Sequence, residues 1–148
     1  MLLYGCESWS LTSATEKRIN SMEMKCYRRL LNISYRDHVT NDSVKQKITD
    51  VIGPHMDLIS IVKNRKMRWF GHVTRSKSLG LANTITHGSI EGARKPGRPK
   101  KNWLQNIKDW TGKSLTSAVS DARDRKEWRR SVTSTNAVPR RSQRSRDR

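Results

Sequence analysis

The balance between charged and apolar residues constrains the possible folds of this chain of 148 residues more than any other feature of its sequence. Lys and Arg number 31 against 13 Asp and Glu, which gives a net charge of +18. Leu, Ile, Val and Phe make up just under a fifth of the chain, close to the roughly 20% below which highly charged chains are disordered. Five Trp and five Met favour folding. We therefore expect one small domain with a thin core.

Several classes of protein are excluded by simple patterns. No apolar run approaches the roughly 18 residues that a membrane-spanning helix needs, so we expect no membrane partner. The first residues lack the basic leader and long apolar region of a secretory signal. Cys6 and Cys26 lack the number and spacing of a disulfide framework. They are expected to be reduced thiols in an intracellular protein.

Apolar residues recur at helical spacing and predict a mainly α fold of about five short helices. Ser13 and Glu16 have the spacing of a capping box at the start of the first helix. The residues expected on the buried face of that helix are Ile19, Met22, Cys26, Leu30 and Ile33. Thr40 is expected to cap a second helix, which ends at Gly53 and Pro54.

The remaining helices are predicted from the same spacing. A third is expected over about 56–73, and its second half interleaves basic and aromatic residues. A fourth covers about 103–110, with Gly112 as its C-cap. A fifth follows over 116–123, and one or two further turns are expected over 124–132.

Composition divides the chain into four segments. Residues 1–75 form a first helical segment, and 76–101 form a Gly/Pro-rich basic loop with room for a small hairpin around 84–90. Residues 102–133 form the C-terminal helices. Residues 134–148 are an Arg/Ser-rich tail that is expected to be disordered, because it has too few apolar residues to offset its ordering entropy.

Positive charge is concentrated in the middle of the chain and in the tail. Between Asp57 and Asp109, Glu91 is the only acidic residue. A single basic run is commonly a solvated face, but two clusters and a tail favour contact with the phosphates of RNA or DNA. The residues predicted to bind nucleic acid are Lys63, Arg65, Lys66, Arg68, Arg94, Lys95, Arg98, Lys100 and Lys101.

One short motif in the basic loop suggests a second interpretation. Gly97, Arg98 and Pro99 resemble the core of an AT-hook, an extended segment that enters narrow minor grooves. Pro96 stands where that motif has its first arginine, and a basic linker leading into a helix is the alternative. The basic string also suits nuclear import, so nuclear localisation is expected, with a cytoplasmic ribonucleoprotein as the alternative.

Residues with catalytic spacing are absent from the sequence. There is no pair of adjacent aspartates, no Gly-rich phosphate loop and no Gly-x-Ser-x-Gly motif. The four histidines lie far from one another and from the cysteines, without the spacing of metal ligands. We expect no catalytic residue, no metal site and no cofactor. Trp103 and Trp110 are expected to anchor the core.

The order of several motifs resembles the C-terminal region of non-LTR (LINE-type) retrotransposon reverse transcriptases. The resemblance extends over about residues 2–132. It rests on Leu2-Leu3-Tyr4-Gly5-Cys6-Glu7-Ser8-Trp9, Cys26-Tyr27-Arg28-Arg29-Leu30-Leu31, Tyr35-Arg36-Asp37-His38-Val39-Thr40-Asn41, Arg65-Lys66-Met67-Arg68-Trp69-Phe70-Gly71-His72-Val73, Gly97-Arg98-Pro99-Lys100-Lys101-Asn102-Trp103 and Ala122-Arg123-Asp124-Arg125-Lys126-Glu127-Trp128-Arg129.

The resemblance implies a thumb-like segment over 1–75 that follows the polymerase palm. The palm aspartates, which hold two metal ions for nucleotide transfer, and the nuclease domain would both lie upstream of Met1. The chain is thus expected to be a non-catalytic fragment whose partners are RNA or DNA and the other domains of an intact element. The alternatives are an independent nuclear DNA-binding protein with an AT-hook-like segment and a remnant without function.

Overall fold

The computed structural model describes residues 3–76 and 102–136. Within those ranges the chain forms α-helices and two short 3₁₀ turns and has no β-strand, which confirms the mainly α class. The six described helices are α1 (Ser13–Leu30), α2 (Asn41–Ile52), α3 (Leu58–Arg75), α4 (Trp103–Thr111), α5 (Leu115–Arg123) and α6 (Arg125–Asn136). None of these helices is long and apolar enough to cross a membrane. The predicted loop, its hairpin and the AT-hook-like motif lie outside the described residues.

Local capping signals place most helix ends where the sequence predicts them. Thr40 caps α2, and its hydroxyl accepts a hydrogen bond from the Ser43 amide at 3.3 Å. Gly112 follows α4 in the left-handed conformation, with φ of 64°. The predicted start of α1 is wrong by one residue, because Thr12 rather than Ser13 accepts a bond from the Thr15 amide. Adjacent hydroxyl residues give nearly the same capping signal.

Helix α6 is longer than the one or two turns predicted. Asp124 starts it, and its carboxylate accepts hydrogen bonds from the amides of Lys126 at 2.7 Å and Glu127 at 3.2 Å. These bonds hold the pKa of Asp124 below its ordinary value. Residues 134–136, which the sequence assigned to a disordered tail, are helical, while 137–148 lie outside the described residues.

Helix α3 joins the first helical segment to the C-terminal helices in one core. Its Met67 and Phe70 pack with side chains from each later helix. The buried partners are Ile107 of α4, Ala118 and Ala122 of α5, and Trp128 and Val132 of α6. A second, smaller cluster joins Cys6, Leu11 and Val62. Segments that composition separates, 1–75 and 102–133, therefore share one core.

The predicted buried face of α1 is wrong at Met22, Cys26 and Leu30, whereas Ile19 is half-buried and packs against the second cluster. Met22 is 40% exposed and Leu30 is 69% exposed, while Glu23 and Met24 are buried. The Glu23 carboxylate accepts a hydrogen bond from the Leu58 amide at 2.7 Å, and so it satisfies a free donor at the start of α3. Polar contact of this kind is not visible in hydrophobic periodicity, which is why the prediction failed.

Candidate nucleic-acid interface

The structure describes four of the predicted nucleic-acid-binding residues, and all four belong to α3. They are Lys63, Arg65, Lys66 and Arg68. The other predicted residues, Arg94, Lys95, Arg98, Lys100 and Lys101, lie outside the described residues. The four side chains on α3 point to different sides of the helix, since one turn contains 3.6 residues. Only some of them can therefore share a surface.

Lys66 lies in the core and has no exposed surface. Its ammonium donates hydrogen bonds to the Trp9 carbonyl oxygen at 2.6 Å and to Asn106 Oδ1 at 2.7 Å. The same group lies 4.6 Å from the centre of the Trp103 ring, close enough for a cation–π interaction. Lys66 therefore stabilises the fold and presents no surface to a ligand.

Lys63 and Arg65 contact other parts of the chain at the protein surface. The Lys63 ammonium lies 3.6 Å from the Glu16 carboxylate of α1, so an acidic group offsets part of its charge. Arg65 is exposed and donates a hydrogen bond to the Leu3 carbonyl oxygen at 3.0 Å. Both side chains connect α3 to segments near the N-terminus, which weakens their case as phosphate ligands.

Arg68 lines a cavity of about 980 Å³ beside α6. Three other arginines line the same cavity, Arg75 from α3 and Arg125 and Arg129 from α6. We call these four residues the arginine cluster. The remaining lining residues include His72, and none of the described lining residues is an Asp or Glu. The two helices therefore bring four positive charges together around one opening.

The arginine cluster carries charge that the described protein groups do not neutralise. No carboxylate of the described residues forms an ion pair with Arg68, Arg125 or Arg129. Arg130, on the same helix, is instead paired with Glu127 at 3.0 Å. Arg75 donates to the Ala122 carbonyl oxygen, and burial and the nearby Arg125 charge lower its pKa. Neighbouring like charges of this kind are stabilised by a bound anion.

The residues of α6 were missed by the sequence analysis. Arg125 and Arg129 are four residues apart, as are Arg68 and His72 on α3, so each pair occupies one helix face. That spacing is present in the sequence, but charge summed over a segment does not reveal it, and only one or two turns were expected over 124–132. The pairing of the two basic faces depends on tertiary packing.

The usual arrangement of metal ligands in proteins is a group of His, Cys, Asp or Glu side chains around one ion. Within residues 3–76 and 102–136, no group of three His, Cys, Asp or Glu residues is arranged to hold a metal ion. His72 lines the same cavity as the arginine cluster. The arrangement can bind an anion through guanidinium groups.

Comparison with known proteins gives one informative similarity. The chain is 29% identical over 134 residues to an uncharacterized transposon-derived protein of Caenorhabditis elegans. The aligned region covers 86% of this chain and 48% of that relative, so the chain spans about half the relative's length. No family model matches the chain, and no solved structure matches it. The similarity supports an origin of this sequence in a transposable element.

Proposed function

We propose that this chain is a non-catalytic, nucleic-acid-binding part of a retrotransposon reverse transcriptase, and that the arginine cluster contacts phosphates. The observation that carries the proposal is the convergence of Arg68, Arg75, Arg125 and Arg129 on one cavity without a described carboxylate. The guanidinium group presents a planar fork of donors that matches the oxygens of a phosphate. A cavity with several such groups can contact successive phosphates of one strand.

Two further facts support a nucleic acid as the partner. The net charge of +18 attracts polyanions over a long range and speeds their encounter with the protein. The relative is named a transposon-derived protein, and the motif order resembles LINE-type reverse transcriptases. Binding inside a nuclear or cytoplasmic nucleoprotein complex fits both facts, and nuclear localisation is our first proposal.

The arginine cluster predicts a defined change in the salt dependence of binding. The variant Arg68→Gln/Arg125→Gln/Arg129→Gln should bind duplex DNA and RNA more weakly at low salt. Its plot of log affinity against log salt should be less steep by roughly 2–3, because each lost phosphate contact removes about 0.9 from the slope. Fluorescence anisotropy titrations at four salt concentrations would measure this change.

A matched control distinguishes the loss of the arginine cluster from a general loss of positive charge. The variant Arg18→Gln/Arg36→Gln/Lys47→Gln removes the same charge from exposed residues that do not line this cavity. It should change the slope by less than about 1, since no fixed contact is lost. Equal slopes for the two variants would refute the arginine cluster as the interface. A strong preference for A·T-rich duplex that Arg98→Ala abolishes would favour the AT-hook alternative.

The non-catalytic part of the proposal predicts no polymerase activity. The purified chain should not extend a primer on an RNA or DNA template with Mg²⁺ or Mn²⁺, because its sequence lacks the adjacent aspartates that would hold two metal ions. Extension would be followed on a denaturing gel, with an active reverse transcriptase as the positive control. Template-dependent extension by a preparation free of other polymerases would contradict the proposal.

A further inference from the structure

A second basic opening shares no lining residue with the cavity of the arginine cluster and is formed by α1, the segment that follows it and the first residue of α2. This groove has a volume of about 950 Å³. Its basic lining residues are Lys17, Lys25, Arg28 and Arg29. We call it the α1 groove. None of its described lining residues is acidic, and none belongs to the arginine cluster.

The wall of the α1 groove is held in place by Arg28. Its guanidinium donates hydrogen bonds to the Val39 carbonyl oxygen at 2.8 Å and to Asn41 Oδ1 at 2.9 Å. These bonds tie the end of α1 to the start of α2. Lys17, Lys25 and Arg29 are exposed and form no ion pair within the described residues. The groove thus combines one fixed cation with three that are open to a ligand.

The floor of the α1 groove differs in chemistry from its rim. Met24, which is 8% exposed, and the half-buried Ile33 supply apolar surface. The side-chain amides of Asn20 and Asn32 also line the groove, and neither has a hydrogen-bond partner among the described residues. Both features match the flat face and the polar edge of a nucleobase.

We infer that the α1 groove binds an unpaired stretch of RNA or DNA, with bases on Met24 and Ile33 and phosphates at Lys17, Lys25 and Arg29. The inference rests on the proposed function for the class of ligand and adds a second site with its own strand preference. Bases in a duplex are stacked and paired, so they cannot reach the floor or the amides. The proposed function favours a nucleic acid over an acidic peptide, whose backbone amides would also pair with Asn20 and Asn32.

The test compares single-stranded and duplex oligonucleotides. The probes are a fluorescein-labelled single-stranded RNA of about eight nucleotides, within the usual site size, and a hairpin duplex of similar composition. The rim variant Lys17→Gln/Lys25→Gln/Arg29→Gln should bind the single strand about 10-fold more weakly, and the hairpin less than about 3-fold more weakly. The control is Arg18→Gln/Arg36→Gln/Lys47→Gln, which should weaken both equally and slightly.

A second variant tests base contact separately from charge. Asn20→Ala/Asn32→Gly removes both amides, and glycine suits the φ of 55° at position 32. It should weaken single-strand binding about 5-fold with an unchanged salt slope, because no phosphate contact is lost. Circular dichroism would verify that each variant keeps its helices, as expected for exposed side chains.

The outcomes separate this inference from the proposed function. Equal losses for single strand and hairpin in the rim variant would overturn the inference, as would competition by a poly-glutamate peptide that equals competition by unlabelled RNA. If the arginine-cluster variant keeps full duplex binding while the rim variant loses the single strand, the proposed interface is wrong and the α1 groove stands. If only the arginine-cluster variant loses binding, the proposed function stands and the groove inference is overturned.

Discussion

Replacement of Asn106 by leucine is expected to lower the free energy of unfolding by about 4 kcal/mol, since several buried polar groups would lose partners at once. Asn106 is fully buried, and its Oδ1 accepts hydrogen bonds from the Leu11 amide at 2.9 Å and from Lys66 at 2.7 Å. Its Nδ2 donates to the Leu11 carbonyl oxygen at 2.7 Å. One side chain therefore satisfies two backbone groups and a buried ammonium.

Urea denaturation followed by circular dichroism would measure the loss. The control is Gln105→Leu on the same helix, which should change stability by less than about 0.5 kcal/mol because Gln105 is exposed. The double variant Lys66→Met/Asn106→Leu should be less destabilised than the sum of the two single variants, because the ammonium is gone when its acceptor is removed. A loss below about 1 kcal/mol for Asn106→Leu would show that the hydrogen bonds of Asn106 contribute little to stability.

The second large effect on stability is expected at Gly71, where α3 and α6 approach each other closely. A Cβ atom added at Gly71 would lie about 2.5 Å from Trp128 Nε1, inside the contact distance of real Cβ atoms. Trp128 cannot move freely, because it is 3% exposed and donates a hydrogen bond to the Met67 carbonyl oxygen at 2.8 Å. Gly71→Ala should therefore lower stability by about 2 kcal/mol, since overpacking outweighs the gain in helix propensity of roughly 1 kcal/mol.

The same helix offers a control for Gly71→Ala. His72 is exposed, so His72→Ala changes helix propensity without adding atoms to the core and should be neutral or slightly stabilising. Thermal melts of both variants would show the difference as a shift of several degrees in Tm. A Gly71→Ala variant as stable as the parent chain would mean that α6 can move away from α3 at no cost.

The positions of the helices could be predicted from the sequence because the residues that mark a helix end lie close to it in the chain. Thr40, Gly53 and Gly112 mark helix ends through hydrogen bonds or backbone angles that involve residues at most four positions away. The same applies to the three- and four-residue spacing of apolar side chains that predicted α3, α4 and α5. The error at Ser13 was one residue, which is the scale at which adjacent hydroxyl residues compete for the cap.

The candidate site was predictable only in part. Of the arginine cluster, Arg68 alone was among the predicted residues, while Arg125 and Arg129 were counted as part of a short terminal turn. Lys66 was predicted to bind nucleic acid although it is four residues from both Val62 and Phe70, which are buried on the same face of α3. Counting charge in a segment does not distinguish a cation in the core from one on the surface.

The sequence alone therefore set the helical class, most helix ends and the strong positive charge, because these depend on composition and on contacts within one turn. Packing between distant segments decided which cations are available to a ligand. It buried Lys66 against Asn106 and Trp9, and it placed Arg68 next to Arg125 and Arg129. It also left Met22 and Leu30 of α1 exposed and buried Glu23, whose carboxylate accepts a hydrogen bond from the Leu58 amide of α3. The free energy of these arrangements comes from pairs of residues far apart in the chain, and no local pattern encodes it.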